Sequence, residues 1–354
     1  MDARYSRQLV LPGFGAPGQR RLGAARVLVV GAGGLGSSVI PLLAGAGIGR
    51  LTIIDDDVIE PSNLHRQTIH RTDALGTPKA DSAAAFVTAL NPEVDATALV
   101  QRLTASTALE LFAEHDLVID GSDTFPTRYL VDDAARLTGI PSVWGAVSQY
   151  GGQVGVAWAE RGPTYRDLFP VPPAPGSVVS CEVGGVLPSV CGVIGSLMAG
   201  EALKVLSGVG APLFGRVTTY DALTGTFREL EYAADPDAAP VTELIDYDAF
   251  CGVMPSLAPS ALKARLDEVT LLDVREPWEA EIATIPGSLL IPLGALPLAL
   301  DRLERSLPIV AYCHHGIRSE SARAILAEAG FDASHLAGGI DAWSTEVDEN
   351  VPRY

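Results

Sequence analysis

The sequence predicts an α/β protein in two parts: a mostly parallel sheet flanked by helices, then a smaller α/β domain. Three observations carry this. From residue 26 an apolar run, a glycine-rich turn and a small-residue helical stretch follow one another. Strand and helix signals keep alternating up to residue 120. Near residue 229 the composition changes, and a fresh strand–helix alternation begins near residue 261.

Arg26–Val30 reads as a parallel strand buried on both faces, because its apolar run does not alternate. Gly31–Gly36 is the turn, and a helix of small residues follows. Leu51–Asp55 and Leu117–Asp120 read as further strands. From Glu229 to Leu262 there are seven acidic residues and no Lys or Arg, with Pro236, Pro240, Pro255 and Pro259 among them. This is the signature of a solvated linker, placed at residues 235–260 between domains at 1–234 and 261–354. In the second domain Val269–Val274, Ser288–Ile291 and Pro308–Cys313 read as strands, and Ser319–Ala329 as a helix. The length of 354 residues suits two domains, since single cores seldom grow beyond about 250–300 residues.

Composition excludes several classes. The net charge of −18, from 25 basic and 43 acidic residues, argues against a nucleic-acid partner, which needs clustered cations. Mean hydropathy is high at +0.24. Two charge-poor stretches, Val27–Gly49 and Val183–Gly200, have membrane-spanning length. The first holds seven glycines and Pro41, the second five glycines and Pro188, so buried strand–turn–helix units explain them better than a bilayer. Met1-Asp2-Ala3-Arg4 opens no apolar leader. Four cysteines without a C-x-x-C pair suit a reducing compartment, and the expected location is the cytoplasm.

Gly31-x-Gly33-x-x-Gly36 after a strand is a Rossmann-like nucleotide fingerprint: the glycines let the backbone approach phosphates at a helix N-terminus. Asp55 ends the next strand, where a carboxylate can hold ribose hydroxyls. Alone, this pattern fits a nicotinamide dehydrogenase as well as an ATP user. The run Asp55–Gln67 adds acids beside Asn63, Arg66 and Gln67, and Lys79 follows in Gly76-Thr77-Pro78-Lys79. Asp123 follows the Leu117–Asp120 strand. Arg66 and Lys79 can neutralise a polyphosphate, and Asp123 can hold Mg²⁺. A nicotinamide site needs no such clamp.

Together with Arg4-Tyr5-Ser6-Arg7-Gln8, these motifs resemble, over residues 4–232, the adenylyltransferases that activate ubiquitin-like sulfur carriers, including those of molybdopterin-synthase and thiamine pathways. The resemblance implies ATP, Mg²⁺ and a carrier protein ending in Gly-Gly, whose carboxylate becomes an acyl-adenylate. It implies that Gly34 and Asp55 bind nucleotide, with Ser62, Asn63, Leu64, His65 and Arg66 contributing. Gly31, Gly33, Gly36, Asp57, Gln67 and Thr124 complete that expected site. Lys79 would contact phosphate, Asp123 would organise metal and acyl-phosphate, and Arg7 would reach into a partner subunit, which implies a homodimer. Many resembling enzymes hold zinc with two C-x-x-C pairs. Their places, Pro163–Asp167 and Tyr232–Val241, lack cysteine here, so no zinc is expected and a tighter hydrophobic core is expected instead. Cys181 stands where resembling enzymes form a thioester or acyl-disulfide; a small buried core cysteine is the competing reading. Cys191 reads as core, and His65, His70 and His115 as surface or capping residues.

Cys313-His314-His315-Gly316-Ile317-Arg318 follows a strand and opens a helix, where backbone N–H groups and the positive helix end favour a thiolate. Arg318 adds a cation for an outer anion. This C-x4-R loop is one residue shorter than the C-x5-R loop of protein phosphatases. With Leu272–Glu276 and Pro277-x-Glu279, Ile285–Ser288 leading to Ile291-Pro292-Leu293, and Gly338-Gly339-Ile340-x-Ala342-Trp343, residues 261–350 resemble rhodanese sulfurtransferases. That implies a persulfide on Cys313, mainly structural roles for Asp273 and Arg275, and a persulfide donor such as a cysteine desulfurase or thiosulfate. The whole chain resembles fused carrier-activating enzymes that adenylate and then thiolate. A nicotinamide oxidoreductase or a binding scaffold, each with a rhodanese-like module, remain the alternatives.

Overall fold

The computed structural model of the chain describes residues 3–173, 184–252 and 256–354. They form two compact units, one built from residues up to 172 together with 184–250, the other mainly from residues 251 onward.

The first unit is an eight-stranded sheet in the order β3-β2-β1-β4-β5-β6-β7-β8. Here β1 is Arg26–Val30, β2 Arg50–Ile54, β3 Asp95–Leu99, β4 Leu117–Asp120 and β5 Ser142–Ser148. These five are parallel. β6 (Gly151–Ala157), β7 (Arg216–Asp221) and β8 (Thr226–Glu231) continue the sheet antiparallel. Val27 to Val30 are all buried, which is why β1 carries no polar alternation. The strand order reverses between β1 and β4, and ligands of open α/β sheets bind at the carboxyl ends of the strands at such a switch. Gly31 and Gly121 leave those two ends. A Cβ on Gly31 would lie 2.9 Å from the Gly121 carbonyl oxygen, and its φ of +91° also demands glycine.

Among the described residues one helix, Pro188–Ser207, is long and apolar enough to cross a membrane. Its Val190, Ile194, Met198 and Ala202 form a buried stripe in the sheet's core, as in a core helix of an α/β domain. The antiparallel half of the sheet lies beyond the alternation that the sequence reveals. Its outer strand β8 is exposed along its whole length and carries Arg228, Glu229 and Glu231, charges that discourage edge pairing.

The second unit is a four-stranded parallel sheet in the order β10-β9-β11-β12. The strands are β9 Thr270–Asp273, β10 Leu289–Leu290, β11 Ile309–Tyr312 and β12 Ala333–His335. Alternate residues feed two cores. Leu272, Ile309 and Ala311 join Ala322 and Leu326 of the helix Ile317–Glu328. Leu271, Val310 and Tyr312 join Ile340 and Trp343 of the helix Gly339–Glu346. Both sheet faces are therefore covered, and Cys313 emerges at the carboxyl end of the central strand β11.

Tyr247–Phe250, which the sequence assigns to the linker, is a helical turn of the first unit, packed on the helix Phe125–Thr138.

Candidate active sites

The glycine turn of the first unit is gripped at one residue, Ala32. Asp55 Oδ2 accepts the Ala32 N–H at 2.7 Å, and Oδ1 accepts the Asp57 N–H at 2.9 Å. His70 Nε2 lies 3.0 Å from the Ala32 carbonyl oxygen, and its Nδ1 lies 3.0 Å from Ser82 Oγ. Burial raises the Asp55 pKa and lowers that of His70. His70 and His115 are thus not surface residues. Both are buried, and His115 bridges Thr52 Oγ1 at 2.8 Å and the Leu111 carbonyl at 2.6 Å.

Beyond Gly36 the helix Gly36–Ala46 begins, its N-terminus pointing out of the turn. Arg66 and Gln67 flank the loop: a Cβ on Gly34 would come 3.7 Å from Arg66 Cδ, and one on Gly33 3.6 Å from Gln67 Nε2. Gln67 is 3% exposed, and its Oε1 has no partner among the protein groups. A buried acceptor left unmade beside a glycine cradle fits a bound nucleotide. Cys191 is buried, and its Sγ would meet a Gly34 Cβ at 2.9 Å, so it floors the turn. Lys79 is 5% exposed and begins the helix Lys79–Leu90; its Nζ lies 2.8 Å from Asp57 Oδ2.

Ser62–Arg66 forms a tight local structure. Asn63 Oδ1 accepts the Glu60 N–H at 3.1 Å, Ser62 Oγ donates to Glu60 at 3.2 Å, and Arg66 Nη1 and His65 Nδ1 both lie 3.0 Å from the Ser62 carbonyl. Leu64 is half-buried among them. Asp123 is exposed in the loop after β4, and Thr124 caps the helix Phe125–Thr138. Arg7 is exposed on the turn Ser6–Leu9. Arg128 carries no signal in the sequence: it donates to the Ser122 and Gly145 carbonyls at 2.6 Å each and lies 4.0 Å from buried Asp120.

Cys181 lies outside the described residues. Where the first pair of zinc cysteines would fall, buried aromatic rings and buried carboxylates pack together. Asp132 accepts the N–H groups of Tyr165 (3.0 Å) and Arg166 (3.2 Å). Asp133 takes Arg166 at 2.6 and 2.7 Å and the Tyr247 hydroxyl at 2.6 Å. Trp144 and Tyr129 meet Tyr165 edge-on, and Arg166 lies over the rings of Tyr129 and Phe250. Asp167 Oδ1 accepts the Asp235 N–H at 3.4 Å, which links the two segments directly.

In the second unit Cys313 is 2% exposed. Its Sγ accepts the Gly316 N–H at 3.1 Å, and Ser319 Oγ lies 3.6 Å away. The loop is held from behind: Ile340 and Asp341 N–H groups bond the Cys313 and His314 carbonyls at 2.9 and 3.2 Å. With those carbonyls turned away, N–H groups remain for the sulfur. Gly339 (φ +61°) permits this, because a Cβ there would overlap both carbonyl oxygens. Asp273 and Arg275 are fully buried; Arg275 Nε lies 2.9 Å from Asp273 Oδ1, and the Tyr312 hydroxyl donates to Oδ2 at 2.9 Å. Arg318, expected to serve an outer anion, is instead paired with Glu279 through two bonds of 2.6 Å. Burial alone would raise Glu279, but this pair and the Glu276 N–H outweigh it and hold its pKa at about 2.

Comparisons with known proteins agree with the two folds. Residues 5–241 match the ThiF family, and residues 258–346 match the Rhodanese-like domain. The chain is 43% identical to the probable adenylyltransferase/sulfurtransferase MoeZ of Mycobacterium tuberculosis, covering 99% of this chain and 95% of the relative. It is 50% identical to a sulfur carrier protein adenylyltransferase of Thermus thermophilus, covering 71% of this chain and 96% of the relative. The crystal structure of E. coli MccB with ATP superposes with a TM-score of 0.60 at 21% identity, over 68% of this chain and 73% of that one, a likeness of fold. The nicotinamide oxidoreductase alternative has no support among these relatives. The chain belongs to the ThiF family, extends it with a rhodanese-like domain, and is an adenylyltransferase and sulfurtransferase.

Proposed function

We propose that the chain uses ATP to adenylate the C-terminal Gly-Gly carboxylate of a ubiquitin-like sulfur carrier, then converts it to a thiocarboxylate with persulfide sulfur from Cys313. The observation that carries this reading is a thiol that accepts a helix-N-terminal N–H, Cys313 Sγ to Gly316 at 3.1 Å, in a chain whose other unit is a ThiF adenylation domain.

A carboxylate and a triphosphate repel, so cations must offset the charge during attack on the α-phosphorus. Lys79 and Arg66 take that role near the turn Gly31–Gly36, Arg7 supplies a further cation across a homodimer, and Asp123 would hold Mg²⁺. Pyrophosphate leaves with the electron pair of the broken P–O bond. The Cys313 persulfide then attacks the carrier carbonyl, AMP leaves, and an acyl disulfide remains. A second thiol, for which Cys181 stands ready in the sequence, attacks the Cys313 sulfur of that disulfide. The carrier thiocarboxylate departs, and an external thiol reduces the Cys181–Cys313 disulfide. Residues 1–234 act as the adenylating part, 235–260 as linker and 261–354 as the sulfurtransferase. Sulfur comes from a persulfide donor in a reducing cytoplasm, and no zinc takes part.

ATP–pyrophosphate exchange that depends on a Gly-Gly-ending carrier tests the first half. No exchange with any such carrier overturns the reading. Mass spectrometry of the carrier tests the second half: a gain of about 16 Da marks replacement of one carboxyl oxygen by sulfur, from the balance of atoms above.

A further inference from the structure

Arg318 is the cation that the Cys313 loop brings, yet its guanidinium is engaged. Nη1 and Nη2 each lie 2.6 Å from a different oxygen of Glu279, a bidentate fork. Glu279 is itself held in place. Its Oε2 accepts the Glu276 N–H at 3.0 Å, and its Oε1 accepts the Tyr354 hydroxyl at 3.2 Å. That hydroxyl accepts from Arg275 Nη1 at 2.7 Å. The Tyr354 ring stacks on His314 with centroids 4.3 Å apart and planes 5° from parallel. Arg275 is matched by Asp273, and nearby Asp341 by Arg353. Every guanidinium in this group therefore faces a carboxylate. Burial first, then His315, lowers the pKa of His314 and favours its neutral form. The groups that lie on the Cys313 sulfur are neutral donors, the Gly316 N–H and the Ser319 hydroxyl.

We propose that Glu279 is a specificity-determining residue of the sulfur site: by holding Arg318 it denies a dianionic donor its cation and leaves the site suited to a monoanionic persulfide carried on a thiol. This rests on the reading of Cys313 as the sulfur carrier. With a thiol persulfide, the Cys313 thiolate attacks the outer sulfur; the donor's S–S bond breaks, and its thiolate leaves with the electron pair. With thiosulfate the same attack expels sulfite, so the dianionic charge must be accommodated as the donor binds.

The test measures sulfur transfer by the full chain from thiosulfate and from 2-hydroxyethyl persulfide. Glu279→Gln keeps an acceptor for the Glu276 N–H but removes the charge. The ratio of kcat/KM for thiosulfate to that for the persulfide should rise about tenfold, mainly through KM for thiosulfate. An unchanged ratio overturns the proposal. Should the variant melt early, the natural protein decides. Its KM for thiosulfate should change less than about twofold between roughly 50 and 500 mM salt, since the Arg318 charge is matched by Glu279; a steep rise with salt overturns the proposal. Cys313→Ala separates the two levels. Transfer by that variant defeats the underlying reading, whereas an inactive Cys313→Ala with an unmoved ratio in Glu279→Gln defeats the Glu279 assignment alone.

Discussion

His70 Nε2 lies 3.0 Å from the carbonyl oxygen of Ala32, so a side chain 38 residues away determines how the glycine turn is held. A carbonyl only accepts, so Nε2 carries the proton and Nδ1 accepts from the Ser82 hydroxyl. The same residue gives its N–H, on the preceding peptide, to Asp55. His70→Ala leaves the Ala32 oxygen unsatisfied and should cost about 1–3 kcal/mol of stability. The KM for ATP in pyrophosphate exchange should rise severalfold, more than kcat falls. An unchanged KM in a destabilised variant would reduce His70 to a packing role.

Lys79 is buried and paired with Asp57, and its charge offsets part of the burial that raises the pKa of Asp55. Lys79→Met removes the cation and leaves those acids facing the turn. Pyrophosphate exchange should fall about 100-fold or more, the scale of losing one transition-state charge partner. Lys79→Arg should rescue little, because a planar fork does not fit the place of a compact ammonium. Steady-state exchange kinetics of both variants check this.

Asp132 is fully buried beside Asp133, and burial pushes its pKa up to about 6. The folded chain thus holds a proton that the unfolded chain releases near 3.8. Stability from this group is present below about 3.8 and is lost as pH rises through about 6. Asp132→Asn carries no such proton and keeps an acceptor for the Tyr165 N–H, while the weaker bond from Arg166 N–H is lost. Denaturant melts from pH 4 to pH 7 should show the descending limb in the natural protein and a flatter profile in the variant.

Gly339→Ala places a Cβ against the carbonyl oxygens of Cys313 and His314 at a φ of +61°. The backbone strain alone is about 1 kcal/mol, and the overlap forces the loop to move. Sulfur transfer should fall at least tenfold while pyrophosphate exchange persists, a split read from the two assays on one sample.

The parts legible in the sequence are those written in contiguous residues. Arg26–Val30 with Gly31–Gly36, and Ile309–Tyr312 with Cys313–Arg318, are each a strand, a turn and a helix start, so local chemistry announces them. The antiparallel strands β6 to β8 are not, because their pairing partners are set by long-range register. Nor are the buried histidines, since a lone His gives no sign of its depth.

By itself the sequence determined two α/β units, a nucleotide turn and a nucleophilic cysteine, because glycines, strand runs and loop length act over a few bonds. Only the tertiary structure decided what faces those loops. It brought His70 to Ala32, Glu279 to Arg318 and Asp133 to Arg166 and Tyr247. Those pairs are 38, 39, 33 and 114 residues apart. An ion pair's strength depends on distance and burial, and neither is written in the spacing of its partners along the chain.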